Sequence, residues 1–536
     1  MKYSLFALSL LACCAAVSHA ADLGNVAFIG DSITHGVQNG SYRFDFWKIL
    51  ADNGTDHRFV GVNSGNYNFS GSLTYKGQTF NNVHSAGSSW RTYQTSGDYM
   101  NNGHKNGMGP NTLPAGGYIN NWLGISDSRT YDKVPGGTLS QGQYLNGSGA
   151  VTNYTGKTMT GNDTPDTFFI MLGTNDMYSD GLLKNGYETT FNSLKNIVEA
   201  GRQANPNANF VILSMPSIAS KAGTETGNVV TPEYNSYVQS RLGELQDASG
   251  NSNVSYADIN KGITTSTGYL HTGMCLADKV HPNEQGNLII AGNLAKAMGL
   301  TQRTAGLERK EAGQLASQVN LTTKTPVITT TKPDGSISLA VFTANNPAAY
   351  SVSASGTGLV FAKANAAAAS SISSMWQAGT QFTVSLSLKM AAKGDLNNYF
   401  TVWLGNGVAN DGFLKVYEDR IEWGYTGSTV LYVADMTTDF SNLTISYLDG
   451  SSGAAAGYYV WLGDQLIGEA KTTGGVSGKT NRLLLGAFTS GQACYGEMAF
   501  VSFDTLHAYA PIPEPATAVL GLAGCFVFCL RRRRVV

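Results

Sequence analysis

The sequence predicts an α/β domain with a central parallel sheet, followed by an all-β sandwich. Two patterns carry this. Between residues 24 and 300, short apolar runs alternate with longer amphipathic ones, the rhythm of strands and helices around a parallel sheet. From Pro326 to about Ala508 short alternating runs take over, separated by turns rich in Gly, Asn and Asp, the pattern of an antiparallel sandwich. The 536 residues are enough for two or three domains with full cores.

Taken in order, Asn25 to Ile29 reads as the first strand. Tyr42 to Ala51 reads as a helix, with Phe44, Trp47, Ile49 and Leu50 as candidate core positions. Arg58 to Val62 and Thr167 to Leu172 are strands, and Phe168 to Leu172 is apolar without a break, as in a strand buried on both faces. Tyr187 to Ala204 is a helix, Asn209 to Met215 a strand, Pro232 to Asp247 a helix and Val254 to Ile259 a strand. Pro282 to Met298 closes the domain as a helix, with proline in its first turn. Residues 93–165 break the rhythm and read as an insertion that walls a cleft. Its Tyr93, Tyr99, Tyr118, Trp122, Tyr131 and Tyr144 could stack on sugar rings or pack the loop against itself. Residues 304–325 read as a polar linker. In residues 326–509 strands are expected at Ser336 to Phe342, Gln381 to Leu388, Tyr399 to Leu404, Phe413 to Tyr417, Leu443 to Tyr447, Tyr458 to Leu462, Arg482 to Phe488 and Glu497 to Ser502. This region resembles the concanavalin A-like jelly rolls of secreted carbohydrate enzymes in architecture, so sugar binding and a purely structural role are both open.

Charged residues make up 13% of the chain, against a usual share of about 25%. Net charge is −2 and no basic stripe exists outside the last few residues, so a nucleic-acid partner is not expected. Residues 1–20 read as a signal peptide: Lys2, an apolar Leu5 to Val17, then Ser18-His19-Ala20 as cleavage site. A lipoprotein reading would acylate Cys13 instead. Residues 510–536 hold Pro513-Glu514-Pro515, an apolar Ala516 to Leu530 and Arg531 to Arg534. Fifteen apolar residues are short of the roughly 20 that span a bilayer. This tail resembles the PEP-CTERM sorting signal, which implies export, a transient transmembrane helix and a sorting peptidase as partner. A retained anchor is the other reading. Only Cys275 and Cys494 lie between the two ends, so neither a disulfide framework nor a zinc site is expected.

The chemistry is read from four short blocks. Gly30-Asp31-Ser32 directly follows the first strand, where open α/β sheets place their sites. Gly173-Thr174-Asn175-Asp176 follows the buried strand that ends at Leu172. Asp278-Lys279-Val280-His281-Pro282 supplies an Asp-x-x-His pair, and Ala86-Gly87-Ser88-Ser89-Trp90 lies between. Together they resemble the SGNH (GDSL) hydrolase family over about residues 24 to 300. The resemblance implies a three-layer α/β fold and a serine esterase needing no metal or other cofactor. It implies Ser32 as nucleophile, His281 as base and Asp278 as the group orienting the imidazole. The backbone N–H groups of Ser32 and Gly87 and the amide of Asn175 would form the oxyanion hole. A Ser-Gly-Trp reading of the second block would put Ser89 in place of Gly87. Trp90 and His84 could touch substrate or be buried support, and His35 is expected to brace the first block. No Gly-x-Ser-x-Gly surrounds Ser32, against an α/β-hydrolase arrangement.

The expected activity is removal of small O-acyl groups, chiefly acetyl, from a carbohydrate by an exported enzyme at the cell surface or matrix. A lipid esterase or lysophospholipase is one alternative. A surface carbohydrate-binding protein with an inactive hydrolase domain is another. Because all the blocks lie within residues 21–303, that domain is expected to fold and act on soluble esters by itself.

Overall fold

A computed structural model describes residues 22–512 except 38–40, 66–70, 89, 93–116, 127–130, 135–136, 142, 146–150, 154–162, 179–185, 219–225, 247–252, 323–326, 342, 345–349, 357, 364–369, 372–380, 396, 408–410, 452–454, 473–480 and 488–491. The α/β domain runs β1 (Gly24–Gly30), α1 (Ser32–His35), α2 (Tyr42–Asn53), β2 (His57–Val60), β3 (Val83–Ala86), α3 (Gly117–Leu123), β4 (Thr167–Met171), α4 (Thr174–Tyr178), α5 (Gly186–Ala204), β5 (Asn209–Leu213), α6 (Thr226–Ser240), β6 (Val254–Ala257) and α7 (Glu284–Ala297). The strands pair in the order β6-β5-β4-β1-β3, with β2 beside β1, and all these pairings are parallel. The two-residue strand Asn63–Ser64 adds an antiparallel edge on β3, so the sheet is mixed rather than wholly parallel.

This order places the site. From β1 the chain builds outward through β2 and β3, then returns to pair β4 against the other side of β1. The reversal leaves a crevice at the carboxyl ends of β1, β3 and β4, where doubly wound sheets bind their ligands. All three of those strand ends carry a predicted block.

Alternate residues of β1 feed two cores. Val26 and Phe28 pack with α2 and α7, while Ala27 and Ile29 pack with α3, α5 and α6. Phe28 lies edge-on to Tyr42 and Phe46 and stacks on Phe169. The expected core position Phe44 is only half-buried, and Phe46 takes its place inside. In the insertion, Trp122 is buried in the second core, not offered to a ligand. Tyr93 and Tyr99 lie outside the described residues, and for Tyr131 and Tyr144 only the backbone is described.

Among the described residues the C-terminal half forms a sandwich of a ten-stranded and a seven-stranded sheet, each paired antiparallel. The expected linker 304–325 is folded where it is described, over residues 304–322. Ala305, Leu307, Leu315, Val319 and Leu321 are buried, and Ser317–Asn320 pairs inside the ten-stranded sheet. Arg309–Lys310 pairs with Ala510–Pro511, so the folded part runs past residue 509. Residues 1–20, read as a signal peptide, and residues 513–536 of the tail lie outside the described residues. Among the described residues no helix is long and apolar enough to cross a membrane. Cys275 and Cys494 are both buried free thiols.

The structure argues against an independent residue 21–303 unit. Every residue of α7 from Gln285 to Ala295 is buried, whereas a surface helix keeps one polar face in water. One face of α7 covers the α/β sheet; the sandwich covers the other, and a single apolar core runs through both. Arg303 links the halves through Glu469 (2.6 Å), itself 3.5 Å from Lys48 of α2.

Candidate active site

The apolar run of β1 ends at Gly30, where a Cβ would stand 2.1 Å from the Thr34 hydroxyl. Only glycine lets the chain turn this tightly into α1. Asp31 is the N-cap, its carboxylate accepting from Ile33 N at 2.9 Å. Ser32 therefore occupies the first position of a one-turn helix, where a backbone N–H has no carbonyl four residues behind it.

The Asp-x-x-His segment is a tight loop. Lys279 sits at φ 62°, and Leu276 N donates to His281 O at 2.8 Å. Asp278 Oδ1 accepts from Val280 N (2.9 Å) and His281 N (3.0 Å). Its Oδ2 accepts from His281 Nδ1 at 2.7 Å, and His281 Nε2 lies 2.8 Å from Ser32 Oγ. A carboxylate facing Nδ1 puts the ring proton there and leaves Nε2 to accept from the serine hydroxyl. Partial burial works against the Asp278 charge, but the bonds from His281 N, Val280 N and the imidazole outweigh it and hold the carboxyl below its usual range. Ser32, Asp278 and His281 are thus brought together from 249 residues apart in sequence. The Asp278 and His281 side chains are 45% and 20% exposed, so the group opens to solvent.

Gly173 ends the third wall at φ 135°, and a Cβ there would meet Met215 Sδ at 2.4 Å. Asn175 Nδ2 donates to Trp90 O at 2.9 Å. Asp176 is buried and accepts from Thr92 N (3.0 Å) and Thr92 Oγ1 (2.8 Å), which ties this wall to the second block. Trp90 stacks on Tyr118 at 4.2 Å and 8°.

The Gly87 N–H donates to Gly30 O at 3.3 Å, a long bond that extends the β1–β3 pairing two residues from Ser32. The glycine answers to a steric need: a Cβ would stand 2.3 Å from the Trp90 indole. Ser89, the other candidate, lies outside the described residues.

His84 is buried support. Its Nδ1 accepts from Ala86 N and its Nε2 donates to Gly65 O. Burial, with Arg43 and His35 nearby, holds it well below the usual imidazole range. His35 packs on it at 4.9 Å. Sequence reasoning missed Arg43, which is fully buried and donates to Thr34 O (2.7 Å) and His35 O (3.0 Å), bracing α1 from below. Burial pulls its pKa down to about 9. No pattern marks such a residue, because a lone arginine on a helix reads as solvated.

Asp31 carries a pH signature. Complete burial pushes its pKa up to about 6, against the pull of Ile33 N, Thr174 and the His281 charge. The unfolded value is about 3.9. A raised pKa favours folding fully below the unfolded value, and that contribution is lost as pH rises through about 6. Asp31→Asn keeps an oxygen for Ile33 N and removes the buried charge. The variant is expected to match the parent at pH 4 and to exceed it at pH 8 by ~3 kcal/mol. Thermal midpoints at the two pH values decide it; a constant difference would contradict the burial argument.

The GDSL-like lipase/acylhydrolase family model matches residues 26–294, half of the chain. No curated protein matches the sequence. Among solved structures, similarity is found to an acetyl esterase mutant with acetate ion, at 18% identity over 51% of this chain and 98% of that one, TM-score 0.33. A carbohydrate esterase family 3 protein from Talaromyces cellulolyticus follows at 20% identity, 51% and 94% coverage, TM-score 0.30. A Clostridium thermocellum family 3 carbohydrate esterase follows at 17% identity, 51% and 93% coverage, TM-score 0.31. The chain belongs to the GDSL-like lipase/acylhydrolase family, the group its four sequence blocks resemble.

Proposed function

We propose that this protein is an exported serine esterase that removes small O-acyl groups, acetyl foremost, from a carbohydrate. The observation that carries the reading is the continuous chain from Asp278 through His281 to Ser32, at 2.7 and 2.8 Å. Ser32 Oγ attacks the ester carbonyl as His281 Nε2 takes its proton, and Asp278 stabilises the imidazolium. The oxyanion lies against the Ser32 N–H and the second N–H of the Asn175 amide, whose first is anchored on Trp90 O. His281 returns the proton to the departing sugar oxygen, leaving an acyl-Ser32. Water then repeats the sequence, with His281 as base, and releases the acid.

The open setting of Asp278 and His281 suits an ester displayed on a polymer better than a lipid tail drawn from a bilayer. The Trp90–Tyr118 stack beside Asn175 offers an aromatic surface for a sugar ring. The stretch read as a signal peptide and the tail's resemblance to a sorting signal support export to the surface, with the tail handed to a sorting peptidase. The test is acetate release from acetylated xylan, pectin and sialylated mucin, run beside p-nitrophenyl esters of increasing chain length. The expected result is acetate from at least one glycan and kcat/KM falling from acetate to longer chains. A preference for long chains would assign a lipid esterase. No turnover and no fluorophosphonate label would leave a binding protein.

A further inference from the structure

We infer that the β-sandwich is a clamp on the helix that follows the catalytic base, with Gln285 as its pin; this rests on His281 being that base. Asn283 caps α7, its Oδ1 accepting from Gly286 N at 3.0 Å, and its Nδ2 reaches back to Gly273 O at 2.9 Å. Its own N–H donates to Met274 O at 3.0 Å. The Asp278–His281 loop is therefore stapled to the first turn of α7 and to the 3₁₀ turn Thr272–Met274.

The sandwich grips both of these. Gln285, 5% exposed, gives its amide hydrogens to Leu431 O (2.9 Å) and Ile467 O (2.6 Å). Leu431 lies on Thr429–Val433, the edge strand of the seven-stranded sheet. Ile467 lies on Gln465–Lys471, the edge strand of the ten-stranded sheet. Open strand edges must be covered or paired, and here one glutamine of α7 satisfies a carbonyl from each. Val430 presses on the 3₁₀ turn, where a Cβ on Gly273 would stand 2.6 Å from its Cγ2. Val433 N donates to Gly262 O at 2.9 Å. Farther along α7, Gln465 Nε2 lies 3.3 Å from Asn293 Oδ1. The sandwich thus holds the two elements that flank the Asp278–His281 loop, and Gln285 is a positioning residue four places beyond the base.

Gln285→Met in the full chain keeps the length of the side chain and removes both donors. Loosening the base by a fraction of an ångström is expected to lower kcat by about 10- to 100-fold with KM nearly unchanged. Fluorophosphonate labelling should slow in parallel. Val384→Ala, on strand Phe382–Met390 and three strands in from the Gln465–Lys471 edge that meets α7, should lower Tm without changing kcat per folded molecule. Hydrogen exchange over residues 272–283 reads the clamp without substrate: protection should fall in Gln285→Met and hold in Val384→Ala. A Gln285→Met protein that loses Tm but keeps kcat and that protection overturns the clamp. Should it fail to fold, Val430→Ala is read the same way from the sandwich side. A wild type that neither turns over esters nor takes the label overturns the esterase reading, and exchange alone then decides the clamp.

Discussion

Ser32→Ala is expected to lower kcat by about 10⁴ to 10⁶ while leaving Tm nearly unchanged. The loss is large because the hydroxyl is both the atom that forms the new bond and the partner of His281 Nε2. Without it the imidazole can only activate water, which is not held at the carbonyl. The residual rate should come from the Ser32 N–H, retained by alanine, and from Asn175, both of which can still stabilise an oxyanion. Stability should hold because the change removes one oxygen at a strand-end turn, and Asp31, not Ser32, caps α1. A fluorophosphonate probe should label the wild type and miss the variant. A labelled Ser32→Ala protein would move the nucleophile elsewhere and take the assignment of His281 with it.

The Ser32–His281–Asp278 group was legible because its residues sit where sequence speaks most clearly. Gly30-Asp31-Ser32 and Gly173-Thr174-Asn175 each follow a continuous apolar run, and such a run in a parallel sheet marks where a strand ends. Asp278 and His281 needed only a spacing that lets one carboxylate meet both the backbone and the ring. What was missed shares a cause: polar residues buried by a neighbour far away in sequence. Gln285 looks solvated until two sandwich strands cover it, and Asn293 until Gln465 and the carbonyls of Ile259 and Lys261 take its amide. Arg43 looks solvated until the first block folds over it. At Gly87 a glycine that admits a tryptophan ring and one that offers an N–H to a ligand are the same letter, and the structure adds the steric need that the letter alone does not tell.

Asp278→Asn is expected to cost about 10⁴ in kcat, and to be worse than Asp278→Ala. The reason lies in what each carboxylate oxygen holds. Oδ1 takes two backbone N–H groups, from Val280 and His281, and Oδ2 takes the imidazole N–H. An asparagine has one oxygen to share among them. Placing it on the two backbone donors turns its NH₂ toward His281 Nδ1. That nitrogen must then accept, so the ring proton moves to Nε2 and points at Ser32 Oγ. A protonated Nε2 cannot take the serine proton. The opposite flip sets the NH₂ against two backbone N–H groups, a clash of donors that the tight loop around Lys279 does not relieve. Alanine imposes no tautomer. Because the Asp278 side chain is 45% exposed, water can enter its place and accept from Nδ1, so a fraction of the productive tautomer survives. The two variants should therefore rank opposite to their chemical distance from aspartate. Nitrogen-15 shifts of the imidazole should report the proton on Nδ1 in the parent and on Nε2 in Asp278→Asn. Equal kcat in the two variants, or an unmoved proton alongside a lost kcat, would show that Asp278 acts by charge alone and not by setting the direction of the ring.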